Sequence, residues 1–206
     1  MLLGAQGAQA AQQCVGAVGT TTYGARTVTV TGPGCSTYAP SAPFAAPLAI
    51  FSGGACEMTF DAPISTASIV AGVDSLDGSV MTASLDGSPY AIQSSDIISS
   101  PIPGAGFSPG NGIVISGSGV TTDPVGGGSE GSGYFGFRTA APAAITSLAI
   151  SQSTGGSGTL LQVCFDDNAA VAPTAIPTLS EWAMILLASL LAGGAALTLY
   201  RRRQAA

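Results

Sequence analysis

The chain has 206 residues, of which 29 are glycine, 13 are proline and only 8% are charged, with a formal net charge of −6. Of its basic residues only Arg26 and Arg138 precede position 182, so the bulk of the chain is acidic, which argues against nucleic acid and anionic lipid headgroups as partners. It contains neither histidine nor lysine, so a serine or cysteine nucleophile has no ordinary base, and neither an enzyme nor a cofactor is expected.

Met1 to Ala10 reads MLLGAQGAQA, and Ala8-Gln9-Ala10 has the small-residue pattern of a signal-peptidase site. Residues 1–11 are therefore read as the remnant of a signal peptide whose start is missing, against the alternative of a disordered N-terminus. From Cys14 the pattern is that of strands. Val28 and Val30 alternate with Thr27, Thr29 and Thr31, and Gly32-Pro33-Gly34 ends the run. A Pro- and Ala-rich connection follows from Pro40 to Pro47. Cys56, Met58 and Phe60 then share one face of a strand whose other face carries Glu57, Thr59 and Asp61.

Ser75-Leu76-Asp77-Gly78-Ser79 recurs as Ser84-Leu85-Asp86-Gly87-Ser88. Asp-Gly favours the positive φ of tight hairpin turns, and the flanking segments Ile69 to Val73, Val80 to Leu85 and Tyr90 to Gln93 are apolar, so a three-stranded meander is predicted. Pro101 to Gly112 reads as a turn-rich loop and Ile113 to Ile115 as a strand. Tyr134 to Arg138 is another strand. Ile145 to Ser151 and Thr159 to Asp166 are expected to form a last hairpin around Gly155-Gly156-Ser157-Gly158. Eight to ten short strands with glycine-rich turns make residues 12–166 an all-β ectodomain, a β-sandwich with a jelly roll as one topology that fits.

The four cysteines, Cys14, Cys35, Cys56 and Cys164, have no C-x-x-C spacing and read as two disulfides. The pairing expected is Cys14–Cys35, clamping the first hairpin, with Cys56–Cys164 tying an early strand to the last. Against it, Cys164 is out of phase with Val163 and Phe165. Two carboxylates suffice for a glycosidase, and Glu57, Glu130 and the aspartates supply candidates, but none is paired in sequence. Calcium has weak candidates in Asp74, Asp77 and Asp86, and in Asp166-Asp167-Asn168; turn chemistry explains the same residues, and no metal is assigned. Tyr23, Tyr38, Tyr90 and Tyr134 are scattered and support a glycan platform only weakly.

After an Ala/Pro linker at 167–175 comes the segment 176–206. It reads Ile176-Pro177-Thr178-Leu179-Ser180-Glu181-Trp182, an apolar run to Leu199, then Tyr200-Arg201-Arg202-Arg203. A helix from Trp182 to Tyr200 is about 28 Å long, close to the hydrocarbon thickness of a bilayer. Aromatic residues stand at its two ends and the three arginines form a topology stop that favours the cytoplasm. One transmembrane helix of the inner membrane is expected, with everything before it outside the cytoplasm. Pro177 lacks an N–H and fixes φ, which keeps the preceding segment extended, as a protease requires.

Ile176, Pro177, Thr178, Leu179 and Trp182, followed by an apolar run and a basic end, resemble the IPTL-CTERM sorting signal of Gram-negative bacteria, a relative of PEP-CTERM. Ala183 stands where that pattern usually has glycine. The resemblance implies recognition by an exosortase, a membrane-embedded protease-transpeptidase, followed by removal of the tail and delivery to the cell surface or extracellular matrix. It covers about a seventh of the chain. The remainder is expected to be a structural or adhesive surface domain, with a glycan- or calcium-binding module as the alternative and surface polysaccharide as one partner.

Overall fold

The computed structural model describes residues 12–108, 110–126 and 129–166. Fifteen strands run through them. In chain order they begin with β1 (Gln12–Val15), β2 (Gly19–Tyr23), β3 (Arg26–Thr31), β4 (Cys35–Thr37), β5 (Leu48–Ile50) and β6 (Ala55–Ser65). Next come β7 (Val70–Leu76), β8 (Met81–Leu85), β9 (Ser88–Tyr90), β10 (Ile97–Ser99) and β11 (Ile113–Ser116). The last four are β12 (Gly119–Thr122), β13 (Gly131–Gly136), β14 (Ala144–Gln152) and β15 (Thr159–Asp166). They form two antiparallel sheets. The first, of seven strands, has the order β10-β13-β7-β15-β5-β4 with β1 added to β15; the second, of eight, has the order β11-β12-β8-β14-β6-β3-β2 with β9 added to β8.

Period-two alternation decides the faces of β3 and β6. Val28 and Val30 are fully buried, as are Cys56 and Met58, while Thr31, Glu57, Thr59 and Asp61 face solvent. The inward side chains of both sheets meet in one core, which contains Val30, Met58, Val73, Leu148, Leu161 and Val163. Phe60 of β6 and Phe165 of β15 touch across it edge to face, with ring centroids 5.5 Å apart. A smaller apolar cluster lies apart from this core. Ala49 of β5 and Leu160 of β15, directly opposed in register, join Phe44, Ile102 and Ala105 and the partly buried Tyr134. Ala49 and Leu160 are out of phase with the core residues Ile50 and Leu161, so this cluster occupies the outer face of the seven-stranded sheet, under the connections that carry Phe44 and Ala105.

Several expectations need correction. The expected fold class joined a β-sandwich to a C-terminal transmembrane helix. What is found is mostly strand, in two antiparallel sheets, and among the described residues no helix is long and apolar enough to cross a membrane. The span assigned to Trp182 to Tyr200 lies outside the described residues, as do the remnant at 1–11 and the linker at 167–175. The strands number fifteen rather than eight to ten. The meander does not form. Asp86-Gly87 does close a two-residue hairpin between β8 and β9, with φ of 48° and 75°, the type I′ geometry. Asp77-Gly78 instead carries the chain from β7 in one sheet to β8 in the other. The reason is visible in β7, which is buried on both faces between β13 and β15 and has no edge free for β8. The same holds at the end. β14 and β15 are not a hairpin but strands of different sheets, joined by a crossing loop. The strand read at Ile113 to Ile115 is present as β11, and it folds back through Gly117, whose φ is 60°, onto a second strand, β12, that was not expected.

Two disulfides are present, but with a different pairing. Cys14 bonds Cys164 and Cys35 bonds Cys56, with Cα separations of 4.0 and 5.0 Å. β1 lies antiparallel on β15 with Cys14 directly opposite Cys164. Cys164 is out of phase with the core residues Val163 and Phe165, so Cys56, which faces the core from β6, is not within its reach. Cys56 is bridged instead to Cys35 of β4, which joins the two sheets. Non-reducing peptide mapping should recover these two bridges. The Cys14–Cys164 bridge closes 150 residues and Cys35–Cys56 closes 21. In the chain-entropy limit, replacing both cysteines of the first bridge by serine should cost about 5 kcal/mol and of the second about 3 kcal/mol, measured by urea unfolding.

Candidate functional site

Three aromatic side chains are strongly exposed among the described residues: Tyr38 at 43%, Phe51 at 49% and Phe107 at 47%. They come from distant parts of the chain and converge on one cleft of about 150 Å³ on the outer side of the seven-stranded sheet. Ala49 and Leu160 form its floor, and Ser75, Ser157 and Gly158 complete its lining with Thr159. Tyr38 follows β4, where its N–H donates to Pro47 O at 3.0 Å. Phe51 follows β5 in phase with Ala49, so its ring stands on the outer face beside the floor.

Two carboxylates set the walls from behind. Asp74 is fully buried and accepts the Phe107 N–H at 3.2 Å and the Ser75 N–H at 2.9 Å, which fixes the connection bearing Phe107. Asp77 accepts the Ser157 N–H, and the Ser157 hydroxyl at 2.8 Å, which fixes the loop between β14 and β15. That loop needs its glycines. A Cβ on Gly156 would collide with the Asp77 carboxylate, and one on Gly158 would sit 3.3 Å from the Phe51 ring. Burial first, and then the charge of Asp74, raise the Tyr134 hydroxyl pKa in the neighbouring cluster.

The calcium candidates are thus separated in role. Asp74 and Asp77 hold two walls of one cleft. Asp86 accepts the N–H of Thr146 at 2.9 Å and of Ser147 at 2.8 Å. These are the donors at the irregularity in β14, where the register against β6 shifts, and Asp86 answers them. Its pKa is lowered: what burial there is works against this, and the hydrogen bonds of Thr146 and Ser147 outweigh it. Among the described residues no three carboxylates or cysteines lie close enough together to hold a metal ion. Asp166 ends β15, and Asp167 and Asn168 lie outside the described residues, as do Ile176, Pro177, Thr178, Leu179, Trp182, Arg201, Arg202 and Arg203. Glu57 stands exposed on β6 in a second, more polar hollow with Thr59, Ser84 and Ser147, while Glu130 precedes β13. Of the tyrosines weighed for a platform, only Tyr38 reaches the cleft. Phe51 and Phe107 complete the aromatic lining, and neither belongs to a pattern that the tyrosines suggested. An apolar residue next to a glycine-rich turn, as at Phe51-Ser52-Gly53-Gly54 and Gly104-Ala105-Gly106-Phe107, was the available signal.

Asp96, which no sequence pattern singles out, gathers donors from four residues. It is fully buried. Its carboxylate accepts the Tyr90 hydroxyl at 2.8 Å, the Gln93 N–H at 2.9 Å, the Arg138 N–H at 3.0 Å and both the N–H and hydroxyl of Thr139 at 3.1 Å. Burial alone would raise its pKa, but these donors hold it below the ordinary value. Tyr90 is pushed up to about 12, by burial first and then by its bond to Asp96. A lowered carboxylate adds stability that is full above its unfolded pKa and disappears as pH falls through the folded one; a raised tyrosine adds stability that is full below about pH 10 and is lost on the way to about pH 12. Asp96→Asn should therefore lose about 2 kcal/mol or more near neutral pH, and its deficit against the parent should shrink below about pH 4, read by urea unfolding at both pH values.

No curated protein and no solved structure matches the chain. A family model does match its C-terminal end. Residues 174–204 fit the model described as the IPTL-CTERM motif, so the chain carries a C-terminal sorting signal of the IPTL-CTERM type.

Proposed function

We propose that this is an exported protein whose β-rich body, residues 12–166, serves a structural or adhesive role at the cell surface or in the extracellular matrix after its tail has been processed by an exosortase-type membrane enzyme. The observation that carries the reading is the match of residues 174–204 to the sorting motif. Two disulfides support it, because such bonds persist outside the reducing cytoplasm. So does the composition, which lacks histidine and lysine and so leaves serine and cysteine without an ordinary base. A non-catalytic role follows best from that.

β1 lies against β15 with Gln12 opposite Asp166, at one end of that strand. The aromatic cleft touches the other end of β15, at Thr159 and Leu160. At about 3.3 Å per residue the two points are about 20 Å apart.

In cells that contain a matching exosortase, mass spectrometry of the mature protein should show a chain that has lost Arg201, Arg202 and Arg203, and fractionation should place it at the surface. In an exosortase-deletion strain the three arginines should stay attached. A mature protein that retains the three arginines beside a working exosortase would refute the processing.

A further inference from the structure

We propose that the cleft between Tyr38, Phe51 and Phe107 is a binding site for a neutral sugar ring of a glycan chain. This goes beyond the sorting reading and stands without it, since it depends on the folded body alone.

The cleft combines two chemistries. Large exposed aromatic groups are uncommon on a monomer surface unless something covers them, and here all three of those exposed among the described residues border the same hollow. The ring pairs of the fold, Phe44–Tyr134, Phe60–Phe165, Tyr90–Phe137 and Phe135–Phe137, do not include them, so their faces are not taken up by one another. Beside the rings are hydroxyls. The Ser157 hydroxyl donates its proton to Asp77, which leaves its oxygen lone pairs to accept from a ligand. The occupant therefore has an apolar face and hydroxyl donors at its edge, as a pyranose has.

Charge narrows the choice further. No charged side chain lines the cleft. The carboxylates behind it, Asp74 and Asp77, are engaged by the amides of Phe107, Ser75 and Ser157, so they set the walls rather than face a ligand. A cage for a quaternary ammonium wants aromatic faces and an available negative charge; this site offers the first without the second. Its volume of about 150 Å³ is below that of sites which enclose a whole drug-sized molecule, and suits one ring of a longer chain held against the surface.

The test uses the full-length protein with maltohexaose, cellohexaose, laminarihexaose and chitohexaose as probes, read by saturation-transfer NMR and affinity electrophoresis. At least one probe should bind. Phe51→Ala and Phe107→Ala should each weaken it about tenfold, and Phe51→Trp should keep it. Val125→Ser, which alters another exposed apolar residue, should bind as the parent does. Because the three rings are exposed, the melting temperatures of these variants should match the parent, which separates loss of binding from loss of fold. Binding of none of the four probes overturns the proposal. So does binding that survives the Phe51→Ala/Phe107→Ala double variant, preferential binding of choline, or a self-association by ultracentrifugation that the double variant abolishes.

Discussion

The backbone ladder of β15 is the constraint on which the rest of the fold depends. Along one side it pairs with β7; along the other it pairs first with β5 and then with β1. Its residues 161, 163 and 165 fill the core, and Phe165 reaches Phe60 of the opposite sheet. Its other face supplies Leu160 to the floor of the cleft and Cys164 to the disulfide with β1. A strand paired on both sides and buried on both faces cannot shift register by one residue without exchanging core for surface along its length. The Cys14–Cys164 bridge fixes that register two residues before the chain runs on towards its sorting tail. Any pull applied from the C-terminal side would meet Phe165 and then this bridge before it met the rest of the core.

Much of the fold was legible where structure is local. The Thr-Val alternation of β3, the two faces of β6 and the Asp86-Gly87 turn all depend on neighbours within a few residues, and each was read correctly. The phase of Cys164 is also readable, and it points away from a bridge to Cys56. Connectivity was not legible, because most connections pass from one sheet to the other. A crossing loop and a hairpin turn can share a sequence. The two Ser-Leu-Asp-Gly-Ser segments show this directly: one closes β8 onto β9, the other leaves β7 for the opposite sheet. The difference lies in β7, whose two edges are already taken by β13 and β15, and no local pattern records that.

The cleft escaped the sequence for a related reason. Its three rings are 13 and 56 residues apart along the chain, and each looks locally like a stray apolar residue beside a turn. Only the register of β5 on β15 and the folding of the 100–108 connection over the seven-stranded sheet place them together. The sorting motif is the opposite case. Its residues are contiguous, and a short ordered pattern of motif, apolar run and basic end needs no tertiary contact to be recognised.

The acidic composition has a physical use that its charge alone does not reveal. All six aspartates between residues 12 and 165 accept at least one backbone N–H. Asp61 takes that of Thr27, Asp74 that of Ser75, and Asp77 that of Ser157. Asp86 takes that of Thr146, Asp96 that of Gln93, and Asp123 that of Val125. A short carboxylate is well suited to reach amides that a turn or bulge has left without a ladder partner, and it does so more strongly than a neutral acceptor. This explains why aspartate outnumbers glutamate, whose longer side chain holds such a geometry less well, and why few cations are required to balance the charge. It also explains why calcium looked plausible from the sequence: clusters of aspartate at strand ends are what a metal loop and an amide-capped loop have in common. Here the acceptor capacity goes to the amides of the loops, and two of those loops carry the walls of the aromatic cleft.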